Sequence, residues 1–315
     1  VEYSRDVSDA TRITGGVRID HLVDRAGSRR ETEIASGALV AEQTYPTRDK
    51  TVLNGRLGVT HALDDALDLR AVAYSGFRQP TINELYRPFR VRNDITEANA
   101  ALKPERLYGG ELGLEWRPAD NLALDLSAFY PRLKNAVANV FVTDAPGFHD
   151  GLGVFVPAGG SLSQRRNLER MRTAGIEAAA TWRATPALSL SARYLYVAAE
   201  VTRALDEPAT EGKRPPMVPR HQGSINVAWS PMETLRTEAV LRGESAQYDD
   251  SLNERPLAGY VTLDLFAGFD LAEGVELYAA AENVFDKEIE VGRASNGLLT
   301  VGTPRLVRGG VRLRF

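Results

Sequence analysis

Hydrophobic and polar residues alternate along most of this chain with a period of two, the mark of extended strands with one apolar and one polar face. In 258–270, Val261, Leu263, Leu265, Ala267 and Phe269 share one face, and Thr262, Asp264 and Gly268 share the other. In 234–246, Leu235, Ala239 and Leu241 oppose Arg236, Glu238, Arg242 and Glu244. Tyr108, Leu112, Leu114 and Trp116 likewise oppose Glu111, Glu115 and Arg117, and Ile176, Ala178, Ala180 and Trp182 oppose Glu177, Thr181 and Arg183. The last segment sets Val307, Gly309, Val311, Leu313 and Phe315 against Arg308, Gly310, Arg312 and Arg314. A soluble sandwich would need another layer to pair three arginines on its final strand. A transmembrane barrel does not, because one face meets lipid and the other a wet lumen where charges of both signs pair.

About thirteen such segments occur, near 10–24, 29–43, 51–63, 66–78, 106–117, 121–133, 173–184, 187–201, 220–230, 234–246, 258–270, 274–284 and 304–315. Most have about 10–14 residues, enough for a tilted strand to cross the hydrocarbon. Their connections alternate in length. Asp64-Asp65, Pro118-Ala119-Asp120, Thr185-Pro186, Pro231-Met232-Glu233 and Ala272-Glu273 are tight turns, whereas 79–105, 134–172, 202–219, 247–257 and 285–303 are long. The stretches 25–28 and 44–50 are intermediate. Short turns on one rim and long loops on the other describe an outer-membrane barrel. Tyr3, Tyr45, Tyr74, Trp116, Tyr130, Trp182, Trp229, Tyr248 and Tyr260 sit near strand ends, as an interfacial girdle would. The fold class expected is all-β: an antiparallel up-and-down transmembrane β-barrel. An odd strand count points to part of a larger barrel, since single-chain bacterial barrels have even numbers.

Composition narrows the picture further. The net charge of −4 argues against a nucleic-acid binder. No apolar run reaches the length of a membrane-spanning helix. Cysteine is absent, so no thiol nucleophile exists, and His21, His61, His149 and His221 lack ligand spacing. They are expected to be lumen or loop residues. No catalytic group, metal site or cofactor is expected, and the protein is not expected to be an enzyme. The sequence from Val1 does not read as a signal peptide; either one was cleaved or, as expected here, the chain begins partway through a longer protein.

Residues 76–88 read Gly-Phe-Arg-Gln-Pro-Thr-Ile-Asn-Glu-Leu-Tyr-Arg-Pro, residues 99–106 Asn-Ala-Ala-Leu-Lys-Pro-Glu-Arg, and residues 281–287 Ala-Glu-Asn-Val-Phe-Asp-Lys. With the ending Arg-Leu-Arg-Phe, these phrases resemble the C-terminal barrel of TonB-dependent outer-membrane receptors. The resemblance implies a barrel of about 22 strands filled by an N-terminal plug. The chain, 1–315, would be the C-terminal part of it, about 13 strands, with the plug and early strands lying outside this sequence. It also implies partners: the TonB protein through an N-terminal segment, a scarce small ligand such as a ferric siderophore, outer-membrane lipid and lipopolysaccharide, and the barrel assembly machinery. Gly310, Leu313 and Phe315 resemble the C-terminal assembly signal of such barrels. Cobalamin and oligosaccharide receptors share the scaffold, and a passive porin or structural barrel is the rival of a different class.

Within that frame, the loop after the fourth strand is the richest in binding chemistry. Phe77, Arg78, Tyr86, Arg87, Phe89, Arg90 and Arg92 alternate aromatic and cationic groups. Arginine offers planar bidentate donors to an anionic ligand, and aromatic rings cover its apolar parts. Tyr86, Arg87, Phe89, Arg90 and Arg92 are therefore ligand candidates, joined by Phe148 and His149 of the 134–172 loop as a lid. The alternative roles for these arginines are pairing with plug carboxylates and binding lipopolysaccharide phosphates. Arg165, Arg166, Arg170 and Arg172 are expected to pair in the lumen or with the plug. Asp144, Asp150, Asp249 and Asp250 do not match a calcium cage in spacing.

Overall fold

The computed structural model describes residues 1–25, 27–204 and 207–314. Its main sheet has sixteen strands, of which thirteen follow one another in an antiparallel meander. We label these β1 Glu2–Ser8, β2 Thr11–Asp24, β3 Arg48–Ala62, β4 Leu67–Arg78, β5 Glu105–Ala119, β6 Leu122–Phe129, β7 Leu162–Thr185, β8 Leu188–Arg203, β9 His221–Met232, β10 Leu235–Glu244, β11 Tyr260–Ala272, β12 Val275–Glu282 and β13 Leu306–Leu313. Connections alternate strictly between turns of two to four residues and long excursions, so all the long ones gather at one rim.

Cross-strand partners share a face, so the registers trace a continuous apolar band. Val59, Ala71, Leu112, Ala128 and Ile176 lie side by side across β3 to β7. Ala239, Leu265, Ala281 and Val307 continue it across β10 to β13. Leu114, Leu235, Leu241 and Leu263 belong to the same band, as the alternation predicts. Leu112, Leu265 and Leu241 are exposed, which suits a surface facing lipid rather than a packed core. The opposite face carries Glu111, Glu115, Glu238, Arg242 and Asp264. Charges pair there: Arg70 with Asp125 at 2.8 Å, and Arg242 with Asp264.

Several expectations change. The segment 29–43 is not a spanning strand. It forms a small hairpin, Ser28–Thr32 with Leu39–Thr44, in the β2–β3 excursion, because Gly37 takes a left-handed turn (φ 69°) and each arm is too short to cross. The thirteenth strand is β1, which Glu2, Arg5 and Asp6 disguise. The 134–172 stretch is not an irregular loop throughout. Arg132–Thr143 runs on from β6 and pairs with the first eleven residues of β7, making a long arm. Asn135 has φ 55°, which breaks the period of two and hides the arm from the sequence pattern. One pairing is parallel: the short strand Asp94–Glu97 lies beside the start of β7, with Ile95 opposite Leu162.

The girdle is only partly as expected. Trp116, Trp182 and Trp229 lie on the apolar face at the short-turn rim, next to Leu67, Leu122 and Leu188. Tyr74 and Tyr260 instead point to the polar face, where Tyr74 donates to Glu111 at 2.7 Å. Three histidines also depart from the lumen: His21, His61 and His221 sit on the apolar face near the rims, bonded to Thr51, Thr11 and Tyr194. At the C-terminus, Leu313 lies on the apolar face opposite Val275. Gly310 sits under the Tyr278 ring, where a Cβ would come within 2.9 Å of it. Phe315 lies outside the described residues.

Candidate functional site

At the long-loop rim, excursions 79–104, 204–220, 245–259 and 283–305 and the 132–172 arm enclose a cavity of about 600 Å³. Its most distinctive groups are Arg214, Arg255 and Arg293. Each is placed by a side chain that accepts from its backbone amide, across loops for Arg214 and Arg293 and within one turn for Arg255. Asn253, held at φ 60°, accepts from the Arg214 amide at 2.8 Å and donates to the Arg214 carbonyl at 2.9 Å. Asp250 is buried and accepts from the amides of Leu252, Glu254 and Arg255 at 2.7–3.0 Å, which fixes the turn carrying Arg255. Asp249 accepts from the Arg293 amide at 3.0 Å and ties the last excursion to it. These aspartates are thus committed to backbone N–H groups. Among the described residues no group of His, Asp and Glu forms a metal cage.

The guanidiniums are less completely matched. Arg214 donates to the Val218 carbonyl at 2.8 Å and lies 5.5 Å over the Tyr248 ring. Burial, and then the charge of Arg220, push it below the usual arginine value. Arg293 reaches Glu290 at 3.3 Å. Arg255 Nε, Arg293 Nε and Ser251 Oγ are buried without a hydrogen-bond partner. Leaving such groups unmatched costs about 1–3 kcal/mol each, which a ligand acceptor would recover.

The residues singled out from sequence lie beside this cavity, on one connected loop cluster. Helix α1, Ile82–Tyr86, starts at Thr81 with a capping box to Glu84 and ends at Arg87. Burial opposes the Glu84 charge, but bonds from Arg78 and Thr81 outweigh it and hold the carboxyl below its ordinary value. Tyr86 packs on Tyr45, with ring centroids 4.6 Å apart. The Arg87 carbonyl accepts from Arg165 at 2.8 Å, which also donates to the Asn83 carbonyl. Phe89 and Arg90 stand on the hairpin Phe89–Val91 with Asp94–Glu97, and Arg92 occupies its left-handed turn (φ 55°). Arg87, Phe89, Arg90 and Arg92 are exposed. No ion pair engages the three arginine side chains among the described residues.

Phe148 and His149 sit on a second hairpin, Gly147–His149 with Val154–Val156, where Phe148 is exposed and His149 bonds the Ala145 carbonyl at 2.9 Å. A small core of Ile95, Val156 and Leu162 joins the two hairpins. The first contributes Val91, Asp94, Ile95 and Thr96 to the cavity wall. Asp94 also receives Ser295 at 3.0 Å, so the first and last of these excursions meet across the rim. Of the second basic cluster, Arg165 bonds loop carbonyls and Arg166 pairs with Glu207. The cavity arginines were not apparent in sequence, because Arg214, Arg255 and Arg293 come from three separate loops.

The family model described as "TonB dependent receptor-like, beta-barrel" matches residues 1–284. Among curated proteins, the iron-regulated outer membrane virulence protein of Vibrio cholerae is 24% identical over 239 residues, 72% of this chain and 34% of that protein. The metal-pseudopaline receptor CntO of Pseudomonas aeruginosa is 26% identical over 238 residues, 73% of this chain and 30% of CntO. The chain thus spans about a third of the length of these relatives. The ferric yersiniabactin uptake receptor FyuA of Yersinia pestis superposes with a TM-score of 0.74 over 100% of this chain and 44% of FyuA, at 19% identity. An antiparallel meander with an apolar outer band, a charged inner face and one rim of long loops is the wall of an outer-membrane β-barrel. The chain belongs to the TonB-dependent receptor β-barrel family, whose members are outer-membrane receptors and transporters rather than enzymes.

Proposed function

We propose that this chain is the ligand-facing, C-terminal part of a barrel that takes up a scarce anionic nutrient, a ferric siderophore or related metal chelate, with energy delivered by TonB through an N-terminal segment. The observation that carries the reading is the rim cavity, with its buried guanidinium nitrogens lacking partners. Arg255 and Arg293 would meet the carboxylate or catecholate oxygens of the chelate, and Arg214 with Tyr248 would cover its flat face. Exposed Arg87, Arg90 and Arg92, with Tyr86, Phe89, Phe148 and His149 nearby, would form the approach surface that the ligand meets first. Support for this second role comes from the shared hairpin, which exposes the cations on one side and walls the cavity on the other.

The test is uptake of radioactive iron by cells bearing the full-length receptor, supplied as carboxylate, catecholate and hydroxamate chelates. Arg255→Gln with Arg293→Gln should raise the half-saturating concentration of the preferred chelate by roughly 10- to 150-fold per lost charge-assisted bond. Arg87→Ala with Arg90→Ala should give a smaller, salt-sensitive rise, because exposed charges are screened. Unchanged uptake by the cavity variant at normal surface expression would remove the proposed site.

A further inference from the structure

The dipeptide Asn-Gly occurs twice in the chain, at 54–55 and at 296–297, in opposite surroundings. The first lies within β3, paired with β2: Asn54 stands opposite Arg18 and Gly55 opposite Val17. The Gly55 amide donates to Ser75 Oγ at 2.9 Å, and Asn54 Oδ1 is buried. The second forms the tip of a hairpin, Glu290–Arg293 with Leu299–Val301, in the last long excursion. There the Ala294 amide donates to the Leu298 carbonyl and the Gly297 amide to the Ala294 carbonyl, both at 2.9 Å. Ser295, Asn296, Gly297 and Leu298 are all exposed. Gly297 takes φ 83°, and beyond its chain neighbours no atom stands within 4 Å of where a Cβ would be.

An Asn-Gly pair can react with itself, because the glycine nitrogen lies within reach of the asparagine carboxamide carbon and no side chain obstructs it. The tip favours that attack. The Leu298 amide donates to Asn296 Oδ1 at 3.1 Å, which folds the carboxamide back over its own following peptide and draws electron density from the carbon under attack. What opposes it is the Gly297 bond to Ala294, at an exposed tip that opens without disturbing the sheet. In β3 the same attack would have to break the pairing with β2 and free the Gly55 amide from Ser75.

We propose that Asn296 is a site of self-modification, and that its conversion loosens the rim of the receptor. Solvent base takes the proton from the Gly297 nitrogen, which bonds to Asn296 Cγ. The Cγ–Nδ2 bond breaks, and ammonia leaves with a proton from solvent. Water then opens the succinimide. Addition at Cγ breaks its bond to the Gly297 nitrogen and leaves aspartate. Addition at the main-chain carbonyl breaks that carbon's bond to the same nitrogen and leaves isoaspartate, with the chain rerouted through the side chain. The sum is amide plus water giving carboxylate plus ammonia. Isoaspartate lengthens the main chain inside a turn closed by two short-range bonds, and so displaces Ser295, which donates to Asp94 at 3.0 Å and ties the last excursion to the first. The new carboxylate also stands three residues from Arg293 of the cavity. That last consequence rests on the uptake reading; the chemistry and the loosening do not.

The test uses the full-length receptor in detergent micelles, held at mildly alkaline pH and sampled over days, with heat-modifiable gel mobility showing that the barrel stays folded. Peptide mapping by mass spectrometry reads the exchange of amide for carboxyl at each Asn-Gly, and electron-transfer fragmentation separates isoaspartate from aspartate. Asn296 should convert roughly tenfold or more faster than Asn54, and mainly to isoaspartate. In urea the two rates should converge, since the difference is one of surroundings. Hydrogen exchange at 93–97 and 293–299 should rise as Asn296 converts. Aged N296Q should show no such rise, and freshly made N296D, which adds the charge without lengthening the chain, should keep exchange at 93–97 near the wild-type level. No conversion at Asn296, or equal rates at both sites in the folded barrel, overturns the site. Conversion to isoaspartate with unchanged exchange at 93–97 overturns the loosening.

Discussion

Two neighbouring residues on β11 give a demanding test of which face meets the membrane. Leu265 lies mid-strand on the apolar band, between Ala239 and Ala281. Asp264, one step away, points to the opposite face, pairs with Arg242 and accepts from the Asn283 amide at 2.9 Å. Leu265→Arg places a guanidinium against hydrocarbon near mid-membrane, at a cost of about 2–4 kcal/mol. That corresponds to roughly 30- to 1,000-fold in the folding equilibrium. Asp264→Asn keeps the volume and an acceptor for Asn283 and loses only the ion pair. Arg242 is 58% exposed, so screening holds that loss to about 1 kcal/mol or less.

The assay is folding of the full-length receptor into lipid vesicles across a urea series, read by heat-modifiable mobility. Leu265→Arg should shift the transition to markedly lower urea, and Asp264→Asn only slightly. Equal shifts, or a larger one for Asp264→Asn, would refute the assignment of faces and with it the register-based band.

Two further outcomes follow from packing and charge. Gly175 is buried where a Cβ would come 2.2 Å from the Phe129 ring and 2.4 Å from the Tyr196 carbonyl, so Gly175→Ala should destabilise the barrel by about 1–3 kcal/mol in the same urea assay. An unchanged midpoint would show that Phe129 swings aside freely. Glu276 is 2% exposed and accepts from Arg236, Arg312 and Arg314 at 2.6, 3.0 and 3.1 Å. Glu276→Gln leaves three facing guanidiniums unneutralised. Because they are about half exposed, the expected loss is about 1–3 kcal/mol, larger at low salt than at high, and a salt-independent loss would point to packing instead.

How much of this was legible in the sequence depended on where the period of two stayed intact. Across β9 to β13 it did, and Leu235, Leu241, Leu263 and Leu265 sit on the face the alternation assigned. The terminal arginines also behaved as a lumen face requires, with Arg312 and Arg314 converging on Glu276. Legibility failed where one residue resets the backbone. Asn135 at φ 55° hid the Arg132–Thr143 strand inside an apparent loop, and Gly37 split an apparent strand into a hairpin. The rim cavity could not be read at all. Its arginines are 38 and 41 residues apart in pairs, Arg255 to Arg293 and Arg214 to Arg255, and their loops are brought together by bonds such as those of Asn253 to Arg214, Asp249 to Arg293 and Glu290 to the Ala258 amide.

In this chain an arginine's role follows from its parity and its height more than from its neighbours in sequence. Arg312 and Arg172 are both exposed strand residues flanked by ordinary company. Parity with Gly310 sends Arg312 inward to a buried glutamate, while parity with Ile176 sends Arg172 outward, level with the end of the apolar band. Arg255 and Arg293 have left the main sheet; Arg293 keeps a single carboxylate, Glu290 at 3.3 Å, and Arg255 has none among the described residues. A charge that the barrel itself neutralises holds the barrel together. One it leaves short of partners, as at the rim cavity, is available to something else.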